Sequence, residues 1–367
     1  MSFLAGTLSQ FWVTVQGTLF PWLAAELGEL SEKQKQLVKI LELVQIERFL
    51  KGQRGALGRP LEDRQAIARA FIAKAVYNLE TTRQLLDRLA SDRTLRRLCG
   101  WERQSELPSE ATFSRAFAEF TARQLPARVH EALIEKYEKP RLVGHISRDA
   151  TAITAREKAA KKVKKAKPEA KPKGGRGKKG AAAPKPLTRL ERQQSMTLAE
   201  MLVDLPSVCD CGTKRNSKGH ASYWVGYRLH LDVADGGIPI SCILTSASVN
   251  DSQVAMPLAM LTAQRVDNLY DLMDSAYDVP SIREKSIALG HVPLIDGHTR
   301  RGGEKPEFAP HEAQRYKERT TIERVFARLK EEFGGRMVRV RGPGKVMTSL
   351  LFGIIALTAD QLLRLVS

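Results

Sequence analysis

Cysteine is scarce in this chain of 367 residues: only Cys99, Cys209, Cys211 and Cys242 occur. Thiols so few and so widely spaced exclude a disulfide-stapled scaffold and fit a reducing compartment. The opening Met1-Ser2-Phe3-Leu4 has no basic segment and no small-residue cleavage site, so no secretory signal is read. Long apolar runs are also lacking. The longest, residues 350–357, is too short to span a bilayer and predicts a buried helix. No internal repeat is visible. A soluble intracellular protein without a membrane partner is therefore expected. What is present excludes wholesale disorder, because 43% hydrophobic and 27% charged residues supply a core. The length suits two or three domains.

The formal net charge is +18, and most of it sits in one place. Residues 156–189 carry 14 Lys and Arg against Glu157 and Glu169, or +12 of the total. The interior of that run is Lys, Ala, Gly and Pro with little else, too poor in apolar side chains to offset chain entropy, so it is expected to be disordered. It reads either as a solvated loop or as a flexible polycation that engages phosphates without reading sequence.

Residues 1–140 read as helical. Leu37, Val38, Leu41, Val44 and Ile46 fall near helical spacing, and Ile67, Ala70, Phe71, Ala75, Leu79 and Leu86 extend a second pattern over 65–89. After Leu107-Pro108, Ser109 is placed to cap a helix through Phe113, Phe117 and Phe120. Beyond Pro140 the period changes. A short apolar stretch over 141–147 ends at Arg148-Asp149-Ala150-Thr151. After the basic run and a polar tract over 209–220, strands are predicted over 223–233 and 238–246 around the turn Asp235-Gly236-Gly237. Asn250-Asp251-Ser252 reads as a helix cap. Strands over 268–273 and 292–295 flank a helix over 281–288, a long helix covers 312–333 up to Gly334-Gly335, and an apolar helix covers 346–365. That order predicts an α+β protein: an N-terminal all-helical region over 1–140, then over 141–367 a ribonuclease H-like mixed β-sheet flanked by helices.

In this topology Asp149 follows the first strand, Asp274 ends the strand after the hairpin, and Glu323 lies in the long helix. Carboxylates so placed can hold two hard cations for in-line displacement at phosphorus. The long helix adds weight. At about 100° per residue, Tyr316, Arg319, Glu323 and Lys330 fall within an arc about 60° wide, beside an apolar stripe of Ile322, Val325, Leu329 and Phe333. The plainer possibility is a solvated face on which Glu323 pairs with Arg319.

Tyr316-x2-Arg319-x3-Glu323-x6-Lys330 resembles the Y-(2)-R-(3)-E-(6)-K signature of bacterial insertion-sequence transposases of the DDE class, in the group built around insertion sequences four and five. Arg148-Asp149-Ala150-Thr151 resembles the family's first Asp box and Met273-Asp274-Ser275-Ala276-Tyr277-Asp278 its second. The strand pair over 224–230 and 244–251 and the segment 108–115 agree with it too. The resemblance covers roughly residues 80–367. Only 49 positions separate Asp274 from Glu323, which leaves no room for the β-rich insertion that some members carry there.

The resemblance implies a metal-dependent recombinase. Asp149, Asp274 and Glu323 would bind two Mg²⁺, with Mn²⁺ as a substitute, and Tyr316, Arg319 and Lys330 would hold the phosphates of the element's end. The reaction would be hydrolysis at the element's ends and attack of the freed 3′-OH on target DNA. The implied partners are the terminal inverted repeats, target DNA and, since two ends must be paired, a second copy of the chain in a synaptic complex. The implied location is the cytoplasm, at the nucleoid. A nuclease without strand transfer and a DNA-binding protein that has lost catalysis are the rivals.

His298, Arg300 and Arg301 precede Gly302-Gly303 and read either as phosphate contacts or as a solvated loop. Cys209-x-Cys211 with His220 lacks a standard zinc spacing and has no second cysteine pair. His145 and His230, in predicted strands, read as packed side chains.

Overall fold

Capping residues mark the helix starts in the first part of the chain. The computed structural model describes residues 8, 11, 13–50, 64–161, 186–215, 219–297 and 307–365. Within them run α1 (Phe20–Leu27), α2 (Glu32–Val44), α3 (Arg64–Val76), α4 (Thr82–Ser91), α5 (Arg93–Cys99), α6 (Glu110–Ala122) and α7 (Leu125–Tyr137). Ser31 with Gln34 and Thr81 with Gln84 form capping boxes on α2 and α4, Asp92 caps α5, and Ser109 caps α6 as expected. The pattern over 65–89 is two helices rather than one. Asn78, at φ 52°, turns the chain between them, a conformation that Asn tolerates better than most residues.

The sheet follows. Its elements are β1 (Val143–Thr154), α8 (Arg189–Gln193), α9 (Leu198–Asp204), β2 (Asp210–Arg215), β3 (Ala221–Ala234), β4 (Ile238–Ser246), α10 (Ser252–Ala263), β5 (Asn268–Met273), α11 (Pro280–Ala288) and β6 (Val292–Ile295). Then come α12 (Pro310–Tyr316), α13 (Thr321–Glu331) and α14 (Pro343–Arg364). The strand order is β2-β3-β1-β5-β6, with β4 also on β3. β3 is antiparallel to β1, β2 and β4, whereas β1, β5 and β6 are mutually parallel. The architecture is therefore a helical region followed by a mixed sheet with flanking helices, an α+β arrangement consistent with the ribonuclease H-like class.

Three local expectations need correction. The first strand does not stop before Asp149: β3 pairs with β1 from Ile146↔Ala234 through Thr154↔Gly226, so Asp149 lies inside the strand. The polar tract contains β2, which β3 zips into the sheet despite its weak β-pattern. The long helix is broken at Lys317–Thr320, where a 3₁₀ turn separates α12 from α13. A 3₁₀ turn advances about 120° per residue instead of about 100°, so the uniform projection that put Tyr316 and Arg319 on Glu323's arc does not apply across it.

α14 ties the two parts together. By length and composition it could cross a membrane, yet most of its apolar window is buried. It packs against α2, α3, α6 and α7 on one side and α13 and β4 on the other, within one apolar cluster that includes Phe71, Phe113, Leu329, Ile355 and Leu357. Its approach to α13 depends on Gly353, where a Cβ would stand 2.4 Å from the Phe333 carbonyl oxygen. Arg328 of α13 reaches across to Asp360 and Gln361 of α14.

Candidate active site at the β1–β5 edge

Register brings the first two carboxylates together. β1 and β5 are parallel with Arg148 opposite Met273, so the next residues, Asp149 and Asp274, emerge side by side. Asp149 is 21% exposed, and its Oδ1 accepts from the Ala150 N–H at 2.7 Å. Burial first, then the charges of Asp274 and Asp251, raise its pKa to about 6, against the opposing pull of the Ala150 N–H and Arg319. Asp274 caps the short turn Ser275–Tyr277 through the Ala276 N–H at 2.9 Å.

Beneath this edge lies a buried ionic framework. Arg148 forms a two-pronged pair with Asp232 at 2.8 and 2.7 Å, and Thr262 donates to Asp232 at 2.6 Å. Asp271 accepts from Ser286 at 2.7 Å and lies 3.2 Å from His291 Nδ1. Burial works against the Asp271 carboxylate, but Arg148, His291 and Ser286 outweigh it and hold its pKa below the usual value. Each charge in this layer has a partner, which fixes the strands carrying Asp149 and Asp274.

The helical side is arranged differently. Glu323 sits in the first turn of α13 with its side chain 59% exposed. Arg319 in the 3₁₀ turn lies between carboxylates: one nitrogen donates to Glu323 at 3.2 Å and another stands 4.0 Å from Asp149. The pairing foreseen as the plainer possibility thus forms, and the same guanidinium faces Asp149. Tyr316 donates to the Met273 carbonyl at 3.1 Å, next to Asp274, and stacks on Phe308. Burial raises the Tyr316 pKa to about 12, keeping it a neutral donor. Lys330 donates to Thr151 at 2.7 Å, two residues beyond Asp149 on the same face of β1. Burial, then the neighbouring charges of Arg336 and Lys214, lower its pKa.

Five of the six residues foreseen around the triad therefore line one edge, with Glu323 turned to Arg319. His298, Arg300 and Arg301 lie outside the described residues, as does most of the basic run. Among the described residues no three His, Cys, Asp or Glu side chains stand close enough to share a metal ion. The donor chemistry nonetheless fits a hard divalent cation: the edge offers carboxylate oxygens from Asp149 and Asp274, which parallel strands set side by side.

Two further residues belong to this edge. Asp251 precedes α10 and pairs with Arg228 at 2.7 Å, with His230 Nδ1 at 3.7 Å. Its charge acts on Asp149, and burial followed by Asp274 raises its own pKa against Arg228. Tyr277, 1% exposed, has a hydroxyl without a hydrogen-bond partner among the described residues, within electrostatic reach of Asp251, Asp149 and Asp274. In sequence Asp251 looked like a cap and Tyr277 like part of a box; only the tertiary structure brings both within electrostatic reach of Asp274. Cys209 is buried and Cys211 exposed, and all four cysteines are free.

The family model described as Transposase DDE domain matches residues 201–359, and that described as Transposase domain (DUF772) matches residues 25–119. No curated protein matches the chain. The first match takes in Asp274, Tyr316, Arg319, Glu323 and Lys330 but begins after β1; the second falls on the helical region. Each part of the fold is thus similar to a transposase domain.

Proposed function

We propose that this protein moves an insertion sequence by cutting DNA at the element's ends and joining the freed 3′-OH to target DNA. The observation that supports the reading is the β1–β5 register that sets Asp149 beside Asp274, with Arg319, the partner of Glu323, facing Asp149. Asp149, Asp274 and Glu323 are the residues that would hold two Mg²⁺, or Mn²⁺ in their place. Divalent ions there would activate the attacking oxygen and stabilise the leaving one. Holding them requires Glu323 to leave Arg319. A DNA phosphate offers Arg319 a bidentate partner of equal charge type, so end binding and release of Glu323 belong to one event.

Tyr316 keeps its proton and anchors the start of the signature to the backbone beside Asp274. Lys330 supplies a compact positive charge for a phosphate further along β1. His298, Arg300 and Arg301 are further candidates for strand contacts. The helical region 1–140 acts in DNA binding and in pairing two copies, each with one element end, and the Lys-rich run at about 156–189 acts as a flexible polycation. The setting is the cytoplasm, at the nucleoid.

The test uses a supercoiled plasmid carrying the inverted repeats that flank the gene. Asp149→Ala, Asp274→Ala and Glu323→Ala should each abolish cleavage and joining while leaving end binding intact. Cleavage that survives Glu323→Ala removes the third ligand, and cleavage without joined product leaves a nuclease.

A further inference from the structure

A cavity of about 600 Å³ lies where α3, α4, α6, the segment after α13 and the start of α14 meet the end of β1. Its floor is aromatic: Phe71 lies 5.1 Å from Phe117 and 5.4 Å from Phe352 between ring centres. Its walls are cationic. Two acids line it, and both are engaged, Glu80 by Arg339 at 2.9 Å and Glu110 by Arg83 at 3.4 Å. The nearby Glu157 accepts from Tyr227 and from the Gly342 N–H. That leaves Lys74, Arg156, Arg341 and Lys345 lining the cavity with no carboxylate at ion-pair distance among the described residues, although the charge of Glu80 reaches Lys74.

Lys74 is the most enclosed of the four, and burial pulls its pKa down to about 8. An ammonium held in such surroundings gains from any anion that enters. Arg156, Arg341 and Lys345 are exposed at the mouth. The cleft also continues a line of charge. From Glu323 to the end of α13 is about 12 Å at 1.5 Å per residue. Lys330 stands on that path, with Lys214 and Arg336 in electrostatic contact.

Resting on the transposase reading above, we propose that this cleft seats the phosphate backbone of the duplex whose end enters the carboxylate edge. DNA presents phosphates every 3.4 Å of rise along each strand, so about four base pairs bridge the length of α13 between the two places. The clamp joins the helical region to the catalytic sheet through one strand of DNA. It grips the backbone, so it adds affinity and register and does not read sequence.

The experiment measures binding of the full-length protein to a fluorescein-labelled 30-base-pair duplex of arbitrary sequence, by anisotropy over a range of KCl. Arg341→Ala/Lys345→Ala should weaken binding by roughly tenfold and lower the slope of log affinity against log salt by about 0.9 for each phosphate that is no longer neutralised. Lys285→Ala/Arg364→Ala removes the same charge on α11 and at the end of α14, outside the lining of the cleft, and should stay within about twofold of wild type. Thermal melting confirms that both fold. Wild-type affinity and slope in the cleft variant overturn the proposal, as does an equal weakening in the Lys285→Ala/Arg364→Ala control, which makes net charge the cause. Asp149-dependent cleavage of the end-bearing plasmid is read separately. A protein that cuts but fails this test loses the clamp and keeps the transposase reading.

Discussion

Asp149 and Asp274 hang from hydrogen-bonded strands, whereas Glu323 hangs from a helix that begins at a 3₁₀ turn. The strand pair is set by the match of Arg148 to Met273 and held from below by the Arg148–Asp232 pair. Among the described residues Glu323 is held by an exposed contact to Arg319, in the preceding turn of chain. Half of the site is thus built into the sheet, and half can be re-partnered without touching the core. That division suits the proposed reaction, in which DNA and metal enter together: the strands can stay still while one guanidinium changes hands.

The comparison breaks hardest at Arg148. Arg148→Leu leaves Asp232 in the interior without its cation, and removing one partner of a buried pair costs about 3–5 kcal/mol. Urea denaturation should show that drop, and Arg148→Leu/Asp232→Leu should recover much of it. A single variant as stable as wild type would mean that the framework does not hold the strands.

The joint between the helical region and the sheet gives a smaller effect. His130 of α7 donates to the Pro239 carbonyl at 2.9 Å, and burial lowers its pKa to about 3. Its folded pKa lies below the unfolded value, so the unfolded chain takes up the proton first as pH falls. The stability that His130 contributes is complete above about pH 6.5 and drains away below it, by up to about 1.4 kcal/mol per pH unit. Asp149 shifts the other way: its folded pKa is raised, so folding gains from its protonation as pH falls through 6. Comparing wild type with His130→Leu cancels the Asp149 contribution. The variant should lose less stability between pH 6.5 and 5, and equal losses would place His130 in water.

Least of all should change at Glu323. An exposed i,i+4 pair is worth about 0.3–0.5 kcal/mol, so Glu323→Gln should unfold within that margin of wild type while cleavage disappears. A large drop in stability would move Glu323 from the flexible half of the site to the framework.

Much of the site was legible because its residues carry positional signals. The strand at Asn268–Met273 delivers Asp274 at the position its apolar pattern requires, and Tyr316, Arg319 and Lys330 contact Met273, Glu323 and Thr151 in turn. Asp149 was placed correctly beside Asp274 but for an incomplete reason, since the strand runs past it. β-pairing along β3 overrides the polar residues that looked like an end. The break at Lys317–Thr320 was illegible, because Lys, Glu, Arg and Thr suit an α-helix or a 3₁₀ turn equally. Asp251 and Tyr277 carried no signal that separates a cap or a core tyrosine from a residue facing a carboxylate edge.

By itself the sequence determined the alternation of elements, and with it a sheet of this class, because hydrophobic period and capping residues are local properties of the chain. It also determined which acids could face one another. Only the tertiary structure decided that Arg319 stands between Asp149 and Glu323, and that four cations with no carboxylate at ion-pair distance among the described residues close around one cleft. Those facts depend on long-range register and on the seating of α14, where side chains hundreds of residues apart compete for the same neighbours.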